Sequence, residues 1–159
     1  MNFEKAFTRL LGHEGRYANH PFDPGGETCW GVTVAVARAN GYEGLMRDLT
    51  VDQARVIYRR EYWDSCKADL VSDQVKFPLF DGAVNSGVSQ SIKWLQIAVG
   101  VTDDGVIGPV TLAAEKMQNG AVTASKILGH RLQFMSSLPT WPAFGRGWSN
   151  RIAKNLLEI

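Results

Sequence analysis

The sequence predicts a mainly α-helical protein, a helical bundle interrupted by one small loop-and-hairpin region. Three observations carry that expectation. Apolar residues recur at three- and four-residue spacing over about six to eight stretches. Residues that start or stop helices bracket most of those stretches. One stretch, residues 16–31, is instead rich in Gly, Pro and Asn, and reads as a loop with a short hairpin beside it.

Phe3, Phe7, Leu10 and Leu11, with Ala6 between them, share one helical face, and Gly15 offers a stop. The chain therefore opens on a helix of about three turns. The run Asp23-Pro24-Gly25-Gly26 demands a tight loop, and Thr28 to Val34 supplies the hairpin. A helix resumes from Val34 to Asn40 and closes at Gly41. Thr50-Val51-Asp52-Gln53 is a capping box, and Val51, Ala54, Tyr58 and Tyr62 follow along one face. Another helix covers Phe77 to Ser86. Val88, Ile92, Leu95 and Val99 form a stripe ending at Gly100, and Pro109 opens the next helix in its first turn. Ala121, Ala124, Leu128, Leu132 and Met135 mark a long helix ended by Pro139 and Pro142. Phe144, Trp148, Ile152 and Leu156 mark the last.

At 159 residues the chain can bury roughly 70% of its unfolded surface without a covalent staple. With 45% hydrophobic and 21% charged residues it has the make-up of a folded globular protein rather than a disordered one. A net charge of +1 argues against a polyanion binder, so nucleic acid is not an expected partner. The charge is uneven, since residues 120–159 hold five Lys or Arg against one Glu. That excess either faces solvent or favours an anionic surface such as a cell wall. Cys29 and Cys66 have no metal-binding spacing; two free thiols are expected, with one disulfide as the alternative. Met1 to Leu11 carries Glu4, Lys5 and Arg9 among its apolar residues, so it does not read as a signal peptide. No stretch is long enough to span a membrane.

Glu14 is the most informative residue. It lies three residues from Leu11, four from Leu10, seven from Phe7 and eleven from Phe3, offsets that share one side of a helix. If the helix continues to it, the carboxyl ends an apolar stripe and its charged form is disfavoured. A carboxyl kept protonated is what a glycosidic general acid requires. If the helix frays first, Glu14 is simply solvated. Asp23 and Thr28 follow on the loop that folds back past the helix end, where a carboxylate and a hydroxyl can position or activate a water. Asp23, in its Pro-Gly-Gly context, also reads as a turn former that caps its own backbone.

These residues belong to a longer succession of motifs. It runs through His13-Glu14-Gly15-Arg16-Tyr17, Asp23-Pro24-Gly25-Gly26-Glu27-Thr28, Gly31-Val32-Thr33 and Tyr62-Trp63 to Phe80-Asp81-Gly82-Ala83-Val84-Asn85-Ser86-Gly87. In that succession the sequence resembles glycoside hydrolase family 108, whose members are similar to N-acetylmuramidases of phages and bacteria. Leu95-Gln96, Asp104-Gly105-Val106-Ile107-Gly108-Pro109 and Thr111-Leu112 resemble the peptidoglycan-binding segment that accompanies the family, and Gly147-Trp148-Ser149-Asn150-Arg151 also fits. The Glu14–Asp23–Thr28 spacing is one residue shorter than that of phage-type lysozymes. Arg16 stands where a second Gly is usual, and Cys29 where Asn is common. Arg16 beside Glu14 would lower its pKa.

The resemblance implies a lysozyme-like α+β fold in which a helix end and a small loop or sheet form one wall of a sugar-binding cleft. Residues 1–87 would be the catalytic segment and 88–157 a peptidoglycan-binding helical segment, packed into one compact unit. The implied reaction is hydrolysis of the β-1,4 bond between N-acetylmuramic acid and N-acetylglucosamine, without a cofactor. Glu14 is then the catalytic acid, assisted by Asp23 and Thr28, while Tyr17, Asn85 and Gln96 are expected to touch substrate. The implied setting is a monomeric endolysin made in the host cytoplasm and released to the wall through a holin lesion.

Several residues keep a second reading. Tyr62 and Trp63 read as core aromatics, and Asn85 as a helix cap or a contact to an N-acetyl group. Asp103-Asp104-Gly105 lacks the alternating oxygens of a calcium loop and reads as a turn into the Pro109 helix. A zinc peptidase is disfavoured because the second histidine of a His-Glu-x-x-His string falls at Tyr17, so no metal is expected. Two alternatives stay open: a lytic transglycosylase acting on the same bond, and a non-catalytic wall-binding protein.

Overall fold

A computed structural model describes residues 1–12, 16–18 and 26–159. Among them lie eight α-helices and one three-stranded antiparallel sheet, so the class is mainly α, as the periodicities predict. No helix among the described residues is long and apolar enough to cross a membrane. By internal contacts the chain divides between Glu61 and Tyr62 into two compact units, Met1 grouping with the second.

In the unit Asn2–Glu61, α1 (Phe3–Leu11) is capped by the Asn2 side chain, which accepts the Lys5 N–H at 3.0 Å, and closes at Gly12. Its buried face is Phe3, Ala6, Phe7 and Leu10. This face meets α3 (Val51–Tyr58), where the Tyr58 ring sits 5.5 Å from that of Phe7. Arg55 of α3 lies over the Phe7 ring at 5.7 Å and pairs with Glu4 at 3.3 Å. The capping box that starts α3 is complete. Thr50 Oγ1 accepts the Gln53 N–H at 3.2 Å, and Gln53 Oε1 accepts the Thr50 N–H at 2.9 Å.

Strands β1 (Tyr17–Ala18), β2 (Thr28–Cys29) and β3 (Val32–Thr33) lie in that order in the sheet. Thr33 then caps α2 (Val34–Ala39) by accepting the Val36 N–H at 3.3 Å. At the far end of α3 the helix widens into a π-helical turn over Arg59–Asp64. The wider turn changes the face, so Tyr62 is half-buried while Trp63 is fully buried.

The second unit is helical: α4 (Asp73–Ser86), α5 (Val88–Val99), α6 (Pro109–Lys116), α7 (Gly120–Ser136) and α8 (Trp141–Leu157). Helices α4, α5 and α7 pack on one another, and α8 packs on α7. Val75, Leu79, Phe80, Leu95, Ile127 and Leu128 fill the space between them with no appreciable exposure. Gly82 permits the close approach of α4 and α5, since a Cβ there would lie 2.5 Å from Ser91 Oγ.

Two boundaries differ from the sequence expectation. Helix α4 begins at Asp73, not Phe77, and Pro78 lies inside it. The extra turn is capped from a distance: Glu115 of α6 accepts the Ser72 N–H at 3.0 Å and the Ser72 hydroxyl as well. Helix α7 ends at Ser136, before Pro139, and Pro142 sits in the first turn of α8.

Candidate active site

Glu14 and Asp23 lie outside the described residues, so the site is built from what frames them in the sequence: Arg16 to Ala18 on one side and Gly26 to Thr33 on the other. The hairpin of β2 and β3 pairs Thr28 with Thr33 and Cys29 with Val32, leaving Trp30-Gly31 as a two-residue turn. Both residues have positive φ, 53° at Trp30 and 75° at Gly31, the backbone that a tight hairpin turn requires. Glycine adopts that conformation without cost; tryptophan does not, and something must hold it there.

The surroundings of Trp30 supply that hold. Its backbone N–H donates to the Arg16 carbonyl at 2.7 Å, and its indole Nε1–H donates to the Leu49 carbonyl at 2.9 Å. Its own carbonyl accepts the Tyr58 hydroxyl at 3.1 Å, and the Arg16 guanidinium lies over its ring at 5.8 Å. Trp30 thus ties β1, α3 and the Leu49 turn to the hairpin tip. The sequence reading did not single it out. The available signal was an aromatic residue directly before a glycine at a hairpin tip.

On this fixed hairpin, Thr28 pairs in register with Ala18 and Thr33 and is half-buried. Among the described residues its hydroxyl has no hydrogen-bond partner. Tyr17, opposite Cys29 on β1, is exposed and donates its hydroxyl to Glu27 Oε1 at 3.1 Å. Tyr17, Glu27 and Thr28 therefore share one small sheet and its approach, and Glu27 is a carboxylate that the sequence reading passed over. Cys29 is buried beneath the sheet. Burial pushes its thiol up, only partly opposed by Arg16.

The other two expected substrate contacts, Asn85 and Gln96, belong to the second unit. Gln96 is 1% exposed, and its side chain is used inside the protein. Its Nε2 donates to Asp104 Oδ1 at 2.7 Å, to the Val106 carbonyl at 3.1 Å and to Thr111 Oγ1 at 3.3 Å, while its Oε1 accepts the Gly105 N–H at 2.8 Å. This corrects the expected substrate contact: Gln96 folds the 103–106 turn into α6, and no atom of its amide is left for a sugar. Asn85, near the end of α4, is exposed and donates Nδ2–H to the Asp81 carbonyl at 2.7 Å.

Asp81 itself is fully buried and ties together three helices. Its carboxylate accepts from Arg131 of α7 and from Arg151 and Asn155 of α8. Burial alone would raise its pKa, but the two guanidiniums outweigh it and hold the carboxyl below the usual range. The sequence reading quoted Asp81 only as a letter of a motif.

The sequence model of the family described as Glycosyl hydrolase 108 matches residues 7–87. No curated protein matches the chain. Among solved structures, that of Brucella abortus SagA is similar, with a TM-score of 0.90 and 34% identity. The alignment covers 98% of this chain and 92% of SagA.

Proposed function

The chain belongs to glycosyl hydrolase family 108, and from that premise we propose that it hydrolyses the β-1,4 bond between N-acetylmuramic acid and N-acetylglucosamine in peptidoglycan. That it is a glycoside hydrolase of the mainly α, lysozyme-like fold class follows from the family and from the similarity to SagA. The finer reading is carried by one observation: the matched stretch, residues 7–87, contains Glu14, Tyr17, Asp23 and Thr28 together.

In this reading Glu14 gives its proton to the glycosidic oxygen as the bond to the anomeric carbon of N-acetylmuramic acid breaks. A water held by Asp23 and Thr28 attacks that carbon, and its proton passes to Asp23. Tyr17 lines the approach. The clamped Trp30 turn supports the mechanism because it fixes β2, and with it the Thr28 hydroxyl, to within a strand register. The segment 88–157 grips the anionic wall through the exposed Lys126, Arg146 and Lys154, since Arg131 and Arg151 are held by Asp81. In a cell the protein acts as an endolysin that reaches the wall through a holin lesion. Co-expression with and without a membrane-lesion protein tests that role, since lysis should need both.

The deciding experiment is product analysis by mass spectrometry after digestion of purified peptidoglycan. A reducing-end N-acetylmuramic acid is expected. Its anhydro form, lighter by one water, would make the chain a transglycosylase. Reducing-end N-acetylglucosamine would move the cut to the other bond, and no soluble product would leave a wall-binding protein.

A further inference from the structure

We propose that Tyr58 is a positioning residue for the hydrolytic reaction: its hydroxyl holds the central peptide of the Trp30-Gly31 turn, and through that turn the strand carrying Thr28. The inference rests on the reading of Thr28 as a group that holds the attacking water, and it adds the residue that keeps Thr28 in place. Every residue it uses lies within the unit Asn2–Glu61.

Helix α3 reaches the hairpin tip at two points. The carbonyl of Leu49, the residue before the Thr50 cap, accepts the Trp30 indole N–H at 2.9 Å. Tyr58, the last residue of the helix, donates its hydroxyl to the Trp30 carbonyl at 3.1 Å. Tyr58 is 1% exposed, so it cannot touch a substrate, and a phenol buried that deeply needs a partner inside the protein. Its ring packs on that of Phe7 at 5.5 Å, so the same side chain also sets α1 against α3.

The hydroxyl grips the peptide that joins the two turn residues. With positive φ at both Trp30 and Gly31, the turn is of type I′. Turning that peptide over would give type II′, in which Trp30 keeps its positive φ and Gly31 reverses; both types close a two-residue hairpin. A Trp-Gly pair lacks the Asn or Asp that favours type I′ and the leading Gly that favours type II′, so its own sequence selects neither strongly. Tyr58 makes the choice, because only one orientation of the peptide offers its carbonyl to the hydroxyl. A turn that sampled both orientations would leave β2, and Thr28 two residues before Trp30, without a single position. Misplacement of a reacting group on the order of 1 Å can cost about 10²-fold in rate.

The test compares Tyr58→Phe with wild type in the full chain. The ring and its packing on Phe7 stay, and only the hydroxyl goes. On purified peptidoglycan kcat should fall about 2- to 10-fold, the worth of one hydrogen bond, with KM unchanged. The Gly31 amide belongs to the peptide that Tyr58 holds, so its nitrogen-15 NMR signal should broaden or double. Trp30→Asn gives an Asn-Gly pair, which adopts type I′ by itself. In that background the further change Tyr58→Phe should cost less than about twofold in kcat. Wild-type kcat in Tyr58→Phe, a raised KM in place of the lowered kcat, or an unchanged Gly31 signal overturns the role. So does an equal cost of Tyr58→Phe in the two backgrounds, since the effect would then not run through the turn. If Trp30→Asn fails to fold, kcat and the Gly31 signal of Tyr58→Phe decide. The two readings fail separately. A wild type that releases no muropeptides removes the reaction, and this role with it. Muropeptides released by Tyr58→Phe at the wild-type rate remove the role alone.

Discussion

The carboxylate of Asp81 in α4 accepts a 2.5 Å hydrogen bond from Arg131 Nη1 in α7, and neither side chain is more than 2% exposed. Arg151 adds bonds of 2.9 and 2.6 Å, and Asn155 one of 2.9 Å, so both oxygens are fully used. A single buried anion thus locks α4, α7 and α8 in register.

Breaking such a cluster leaves a buried charge unmatched, at a cost of about 3–5 kcal/mol. Asp81→Asn should therefore lower the urea midpoint sharply. The effect has a pH window. An unfolded aspartate titrates near about 3.9, and the folded value lies lower. Asp81 then contributes its full stability above about pH 4 and loses it as pH falls toward the folded value. The gap between wild type and Asp81→Asn should narrow below pH 4; a gap independent of pH would show that the carboxylate is not the linked group.

Gln96→Leu keeps the volume but strands the buried Gly105 N–H and removes one hydrogen bond from the exposed Asp104 carboxylate, which keeps that of the Val106 N–H. The expected cost is about 1–3 kcal/mol. Since the amide has no atom left for substrate, kcat and KM of the folded fraction on peptidoglycan should match wild type. A raised KM at unchanged stability would restore the substrate contact that the sequence suggested.

Gln96 and Asp81 show where the sequence could and could not be read. Local signals were reliable: the Thr50–Gln53 capping box, the first-turn Pro109, and the stripe of α5 ending at Gly100 all stand as expected. Long-range causes were invisible. Nothing near Asp73 announces that Glu115 will cap α4, and nothing in Phe80-Asp81-Gly82 names Arg131 and Arg151 as partners. Gln96, a buried polar side chain inside a motif, was therefore expected to touch substrate. The boundary at residue 87 followed motif order, whereas α4 packs with α5 and α7, so the contact division falls earlier, at Glu61. Of the site, the sequence singled out Glu14, Asp23 and Thr28; it did not show that Trp30, at positive φ, anchors the hairpin carrying Thr28.

Both cysteines are free and buried, and burial pushes the Cys66 thiol up to about 12. The thiolate is the reacting form, so neither residue should react with Ellman's reagent in the native protein at pH 8. Two equivalents should titrate once denaturant is added. Rapid native labelling at either site would contradict the burial.

The last prediction separates the acid from the water-holding groups. Glu14→Gln keeps the side-chain shape and removes the proton, and general acid catalysis supplies about 10² to 10⁴ in rate, so kcat should fall by that range. Thr28→Val is a milder change. The β-branched shape suits β2, and the pairing with Ala18 and Thr33 uses only backbone, so the sheet should persist. What disappears is one hydroxyl, worth about 0.5–1.5 kcal/mol as a hydrogen bond, or roughly a 2- to 10-fold drop in kcat. Asp23→Asn should cost more than Thr28→Val, because a base is lost and not only a hydrogen bond. If inversion holds, Asp23→Asn should also be rescued by azide, giving a glycosyl azide of inverted configuration. Wild-type turnover in a folded Glu14→Gln variant would remove the assigned acid, and with it the mechanism. Wild-type turnover in Asp23→Asn and Thr28→Val, with Glu14→Gln inactive, would leave Glu14 alone and reassign the attacking water to another group. Glu27, hydrogen-bonded to Tyr17 beside the same strand, would then be the next carboxylate to replace.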